Sequence, residues 1–450
     1  MPDTPPLLAL FYARVGDSRL AELEAVADRL GAPREAWSWD RRVLEMNGGD
    51  VGPRIVQWLT ALPGADPTLL ANAAAQCVGC RGVFEVWGQG ETIEACAAAA
   101  AAVPEAHIRR RATGSWRVES LVLGARRSKG ANSLGARMAA FGAVLDILDD
   151  HPVDLDDPAH RLWLVEDRQF LKDLGDLPEP PPRHMLLYQV PPTVPAIQAR
   201  LTELELPRRA FLSTSTLPPE RALLMCNLAL ARAPRVGATV LDPYCGSGGV
   251  LLAAAALGAQ TVGSDLDWRM VSDNRWPIRI PASPSRPRRG AERVRMRDNF
   301  IEAGLTEPKA LLTLDVGAND AATRLLQANG GQPYDALVCD PPYGRREFQG
   351  GEEAWDGALT FKVDAAALGG TLRALLGLAR QTLAPTGRLV FLAPVRSPKD
   401  PSKPPVETMR TMLKAEGRAQ GLTLVHLAVE VLHRGLHRAV VVMDRAAPEA

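Results

Sequence analysis

Val240-Leu241-Asp242-Pro243-Tyr244-Cys245-Gly246-Ser247-Gly248-Gly249 runs from a short apolar strand through a glycine-rich turn into a helix. Glycines in such a turn let the backbone approach a ligand closely, and the N–H groups of the helix start point toward it. In an open α/β sheet, a loop at the carboxyl end of its strand is where a nucleotide-like ligand docks. The dinucleotide fingerprint G-x-G-x-x-G is not met, because Leu251 stands where its third glycine belongs. That counts against a nicotinamide or flavin enzyme.

Three further strand ends follow in order. Val262-Gly263-Ser264 leads to Asp265 and Asp267, roughly 20 residues on, the offset at which an acidic side chain meets ribose hydroxyls. Leu311–Leu314 delivers Asp315, a suitable acceptor for an adenine amino group. The apolar run Ala336–Cys339 is closed by Asp340-Pro341-Pro342-Tyr343. Each acid alone is ordinary turn chemistry. Together with the glycine loop, and in this order, they are expected of an S-adenosylmethionine pocket.

Asp340-Pro341-Pro342-Tyr343 offers a carboxylate, carbonyls and an aromatic ring on a rigid loop. The two prolines fix φ and leave their carbonyls without a local N–H competitor, and Tyr343 is suited to stacking on a base. Methylation of a base amino group requires its delocalised lone pair to be turned toward the methyl donor. A carboxylate and a carbonyl accepting its two N–H bonds would do that. Guanine N2, adenine N6 and a protein glutamine amide all fit this chemistry, and a non-catalytic RNA-binding scaffold that kept the fold is the alternative from another class.

The 450 residues suggest about three domains, with 46% hydrophobic content, and Lys+Arg and Asp+Glu both at 52, so no overall field announces a polyanion. Positive charge is local instead: Arg109–Arg111, then Arg126, Arg127 and Lys129, then the arginines between Arg286 and Arg297. Six cysteines without secretory context point to a reducing compartment. Cys77-Val-Gly-Cys80 has metal-like spacing, yet no second ligand pair follows, so no metal is expected. The opening residues carry no basic leader and no apolar stretch has membrane-spanning length, so a soluble cytoplasmic protein is expected.

Periodicity gives strands over Leu7–Ala13, Gly82–Gly88, Trp116–Val122 and Leu162–Val165, with helices over Leu20–Leu30, Glu91–Val103 and Arg137–Asp149. Pro178–Pro182 reads as a linker. Beyond it, helix Glu220–Arg232 precedes alternating strands and helices, which predict a parallel sheet covered on both faces. The last two strands, Thr423–Leu432 and Ala439–Asp444, are too close for a crossover and predict a hairpin at the sheet edge.

The chain resembles the THUMP-containing tRNA guanine-N2 methyltransferases that modify position ten of tRNA. Besides the motifs above, the resemblance rests on Gly82–Gly88, Val153–Pro158, Leu162–Asp167, Phe211–Glu220, Asp298-Asn299-Phe300, Tyr343-Gly344-Arg345 and Gly387-Arg388-Leu389. It implies an α/β fold in which a Rossmann-like class I methyltransferase domain is preceded by an α+β ferredoxin-like/THUMP region. The boundaries would be 1–100 for the N-terminal domain, 101–177 for THUMP, 178–195 for a linker and 196–450 for the methyltransferase. Carried over residue by residue, it implies catalytic Asp340, Pro341, Pro342 and Tyr343, and cofactor contacts at Asp242, Gly246, Gly248, Asp265 and Asp315. The segment holding Thr214 and Ser215 would cover the cofactor. Arg126, Arg127, Lys129, Arg345 and Arg346 are the candidates for tRNA. The family's eukaryotic members work with a small zinc-containing activator subunit that adds a strand to the catalytic sheet, so such a partner is expected beside tRNA.

Overall fold

A computed structural model describes residues 5–11, 18–31, 39–40, 57–61, 66–123, 134–167, 183–213, 216–234, 237–273, 294–342, 369–395, 405–433 and 436–446. The chain divides into two compact units, Met1–Arg14 with Ala32–Pro195, and Val15–Gly31 with Ala196–Ala450.

The first unit is built on one sheet. Its strands are β1 (Leu7–Phe11), β2 (Trp39–Asp40), β3 (Gln57–Ala61), β4 (Cys80–Gly90), β5 (Trp116–Leu123), β6 (His160–Asp167) and β7 (Arg183–Gln189), in the order β2-β3-β1-β4-β7-β6-β5. Alternation with period two sends Leu162, Leu164, Leu186 and Tyr188 to one core, and Trp163, Val165, Met185 and Leu187 to another. The first core is covered by Ile93–Ala101 and the short helices after it, through Cys96, Ala100, Ile108 and Val144.

The segment 178–195 does not act as a linker throughout. Arg183–Gln189 is β7, paired with β4 on one side and β6 on the other, so the regions expected as separate 1–100 and 101–177 domains share one sheet. Met185-Leu186-Leu187-Tyr188 is an apolar run of the kind a strand buried on both faces requires. The proline run Pro178–Pro182 lies outside the described residues. The helix expected over Arg137–Asp149 is interrupted: Leu134–Ala139, Gly142–Leu145 and a single 3-10 turn Asp146–Leu148 replace it, the break falling at Phe141, which turns inward with 4% exposure.

The second unit contains β8 (Thr239–Asp242), β9 (Gln260–Asp265), β10 (Ala310–Thr313), β11 (Tyr334–Cys339), β12 (Leu383–Val395), β13 (Leu422–His433) and β14 (Leu436–Arg445). Their order is β10-β9-β8-β11-β12-β14-β13. Counted within the unit, this is the Rossmann order 3-2-1-4-5-6 with an antiparallel strand inserted before the last. The hairpin β13/β14 closes one side of the sheet as expected, with β13 outermost and β14 antiparallel to β12.

Leu337, Cys339, Leu389, Phe391, Val441 and Met443 pack under Ala321–Ala328, Gly370–Thr382 and Val406–Ala419. On the other face lie Pro219–Ala229 and Gly249–Ala256, whose side chains are buried almost throughout. Helix Ser18–Leu30 belongs to this unit and not to the first, although it precedes nearly all of the first unit in sequence. Leu23, Val26 and Ala27 are buried against Pro219–Ala229 and the turn after it, and Asn227 Nδ2 donates to Glu22 Oε1 at 2.8 Å. No helix among the described residues is long and apolar enough to cross a membrane.

Candidate functional site

β8, β9, β10, β11 and β12 run parallel, so their carboxyl ends share one edge of the sheet. β8 lies between β9 and β11, the position where the strand order reverses and a crevice opens. Asp242, Asp265, Asp315 and Asp340 stand at the ends of four adjacent strands for that reason.

The glycine loop is fixed from several directions. Cys245 N–H donates to Ser264 O at 2.9 Å, Gly246 N–H to Asp265 Oδ2 at 2.8 Å, and Gly248 N–H back to Cys245 O at 2.7 Å. Gly248 is left-handed at φ +82°, and a Cβ there would come within 2.8 Å of Met296 Sδ. At Gly246, φ +48°, a Cβ would meet nothing within 4 Å among the described residues. The Thr216 and Ser247 hydroxyls are 2.9 Å apart and tie Thr216 to the loop. Asn299 holds the backbone at Phe211 with both amide atoms, accepting from Phe211 N–H and donating to Phe211 O, each at 2.8 Å.

The ionisable side chains at these strand ends are mostly acids. Burial pushes the Asp242 carboxyl well above the usual range, the Asp265 and Asp340 charges add to this, and the hydrogen bond from Tyr244 N–H opposes it. Burial also raises Asp265, against the N–H donors of Gly246 and Asp267. Asp315 is exposed and accepts from Gly317 N–H at 2.8 Å. Asp267 is engaged elsewhere: its carboxylate binds the Arg269 guanidinium at 2.6 Å and caps the helix Trp268–Val271, and the pairing with Arg269 lowers its pKa. Asp340 is half-buried with Oδ2 3.7 Å from Arg438 Nη1, followed by buried Pro341 and half-buried Pro342. Burial raises the Cys245 and Cys339 thiols well above their ordinary value, which leaves them protonated and unsuited to act as nucleophiles.

Tyr343, Arg345, Arg346, Thr214, Ser215, Arg126, Arg127 and Lys129 lie outside the described residues. Of the basic clusters, Arg109–Arg111 is engaged within the fold: Arg109 with Glu105 and Asp150, Arg110 with His107, and Arg111 with Glu85. Arg295 and Arg297 pair with Asp273, Asp298 and Glu307. Cys77 and Cys80 are buried, their thiols directed to Ala73 O and Gly82 O.

Sequence reasoning missed Arg438, Glu430 and Arg221, which form a buried chain of charges behind Asp340. One signal was available: Glu430 interrupts the apolar run Leu427–Leu432, and an acid in a buried strand needs a partner.

Residues 207–355 match the family model described as "RMKL-like, methyltransferase domain". The chain also aligns with a tRNA (guanine(10)-N2)-dimethyltransferase of Methanothermobacter thermautotrophicus, 31% identical over 147 residues, covering 33% of each chain. A longer alignment joins the chain to the human tRNA (guanine(10)-N(2))-methyltransferase TRMT11, 24% identical over 369 residues, covering 76% of this chain and 72% of that one. Among solved structures, TrmN from Thermus thermophilus is similar over 98% of this chain and 99% of its own, at 18% identity and a TM-score of 0.41.

The cofactor of the methyltransferase domain is S-adenosylmethionine, and the crevice fits it. Burial disfavours the charged form of the Asp242 and Asp265 carboxyls, a penalty that a neighbouring sulfonium or ammonium group would offset. The Asp265 carboxylate retains lone-pair capacity for hydroxyl donors beyond its two backbone bonds.

Proposed function

We propose that the chain transfers a methyl group from S-adenosylmethionine to the exocyclic N2 of the guanosine at position ten of tRNA. The observation that carries the reading is Asp340. It closes β11, next to the strand that bears the glycine loop, with its carboxylate half-exposed in the crevice and followed by Pro341 and Pro342.

In this reading Asp242, Gly246, Gly248, Asp265 and Asp315 hold the cofactor, and Ser213–Thr216 with Thr214 and Ser215 covers it. When bound, the cofactor supplies an electrophilic methyl on a sulfonium. The Asp340 carboxylate and the Pro341 carbonyl accept the two N–H bonds of the target amine. That turns the nitrogen lone pair out of conjugation and toward the methyl in a near-attack geometry, an arrangement worth several of the roughly 7–11 kcal/mol available from orientation. Asp340 is an orienting and electrostatic group first. The proton lost after transfer comes from a much more acidic nitrogen and passes to Asp340 or to water. Tyr343 stacks on the base, which has left any helical stack it occupied.

Guanine is favoured over adenine N6 by the relatives, which are named for guanosine ten of tRNA. The first unit serves as the ferredoxin-like and THUMP module that grips the tRNA, with Arg126, Arg127 and Lys129, while Arg345 and Arg346 meet phosphates near the target base. An outer strand of the second sheet, β10 or β13, offers an edge to which a small zinc-containing activator subunit could add a strand. The setting is the cytoplasm.

Labelled S-adenosylmethionine, unmodified tRNA and the purified chain, alone and with the activator, test the proposal. Digestion is expected to give labelled N2-methylguanosine. Label in N6-methyladenosine would overturn the choice of substrate.

A further inference from the structure

We infer that Arg438 is a positioning residue for methyl transfer, acting through Asp340 and itself held by Glu430 and Arg221. The inference rests on the reading of Asp340 as the group that orients the target amine.

Arg438 lies on β14, opposite Pro394 of β12 and opposite Glu430 of β13. Its side chain is 8% exposed, yet it carries a charge that low-polarity surroundings would penalise if alone. It has two partners on opposite sides. Nε donates to Glu430 Oε2 at 3.3 Å, and Nη1 lies 3.7 Å from Asp340 Oδ2. Glu430, 6% exposed, is bound in turn by Arg221, which stands in the first turn of helix Pro219–Ala229. Four charges of alternating sign, Arg221, Glu430, Arg438 and Asp340, thus run from a helix through two strands to the carboxylate in the crevice.

The geometry has a direct consequence for Asp340. A guanidinium is a rigid planar fork, so binding Nε to Glu430 fixes the direction in which Nη1 is presented. Nη1 then attracts one named oxygen of Asp340 and restricts rotation of the carboxylate about its bond to Cβ. Asp340 follows the strand and precedes two prolines, so its backbone is already constrained. With the side chain restricted as well, the angle at which it meets an amine is preset. The other end of the chain of charges lies toward the glycine loop, because the helix bearing Arg221 begins three residues after Thr216, whose hydroxyl meets Ser247. A residue that packed the strand without acting through Asp340 would need no such orientation.

The test is a double-mutant cycle on kcat and KM, using the full chain with tRNA and S-adenosylmethionine. Thermal melting of each variant checks that it is folded. Arg438→Met is expected to lower kcat by about 10- to 100-fold, the scale of a misplaced reacting group, with KM for the cofactor unchanged. Arg438→Lys keeps a charge in reach of Asp340 but lacks the planar fork that fixes its direction, so it is expected to recover only part of kcat. In the Asp340→Ala background, Arg438→Met is expected to cost nothing further, since its target is gone. Should Arg438→Met fail to fold, Arg438→Lys and Glu430→Gln carry the cycle, each with a smaller loss that vanishes when Asp340 is alanine.

An equal loss in both backgrounds would overturn the inference and leave the role of Asp340 standing. The same is true of an unchanged kcat in the Arg438 variants alongside a fall in Asp340→Ala. If Asp340→Ala itself leaves kcat unchanged, the reading of Asp340 falls and the inference with it.

Discussion

Asp340→Ala is expected to lower kcat for methyl transfer by about 1,000-fold, with tRNA and S-adenosylmethionine binding retained. The side chain closes β11 and is half-exposed, so its loss removes an acceptor from the crevice without opening the core beneath, where Val338 and Cys339 are fully buried. Asp340→Asn separates the two parts its carboxylate could play. An amide keeps an oxygen that accepts one N–H bond but takes no proton at neutral pH. If orientation dominates, the asparagine variant retains clearly more activity than alanine. If proton removal dominates, the two are equally impaired. Single-turnover rates with saturating cofactor make the comparison, and transfer undiminished by alanine would contradict the assignment.

Asp265→Ala is expected to raise the dissociation constant for S-adenosylmethionine by about 100-fold, the equivalent of roughly 2.7 kcal/mol. Two effects combine. The variant loses a carboxylate suited to ribose hydroxyls, and Gly246 N–H loses the acceptor that holds the glycine loop at 2.8 Å. Without cofactor, melting should move much less than binding, because burial already raises the Asp265 pKa and removing a penalised carboxylate offsets part of the lost hydrogen bonding. Titration calorimetry reads the affinity. A melting loss that accounts for the whole effect, with affinity intact in the folded fraction, would show Asp265 to be structural only.

The acids at the strand ends were readable in the sequence because each follows directly on a short strand-like run. In a parallel sheet all such run ends fall on one edge, so order along the chain becomes neighbourhood in space. Asp242, Asp265, Asp315 and Asp340 were placed in this way. Asp267 was not: its role was decided by Arg269 two residues on, whose guanidinium takes the carboxylate for a helix cap. Strand β7 was hidden by the prolines just before it, although Met185–Tyr188 has the composition of a strand buried on both faces. Helix Ser18–Leu30 was legible as a helix, but its membership of the second unit depends on Asn227, about two hundred residues away, and on nothing local. Arg438 is a similar case. Its contact with Asp340 follows from the register of β14 against β12 and β13, which no local pattern fixes.

Inosine differs from guanosine in lacking the exocyclic amino group at the position proposed for methylation. A tRNA transcript carrying inosine at position ten therefore tests the central claim most directly, with labelled S-adenosylmethionine and the otherwise identical guanosine transcript beside it. Label incorporation into the guanosine transcript and none into the inosine transcript is the result predicted. Equal incorporation into both would contradict it.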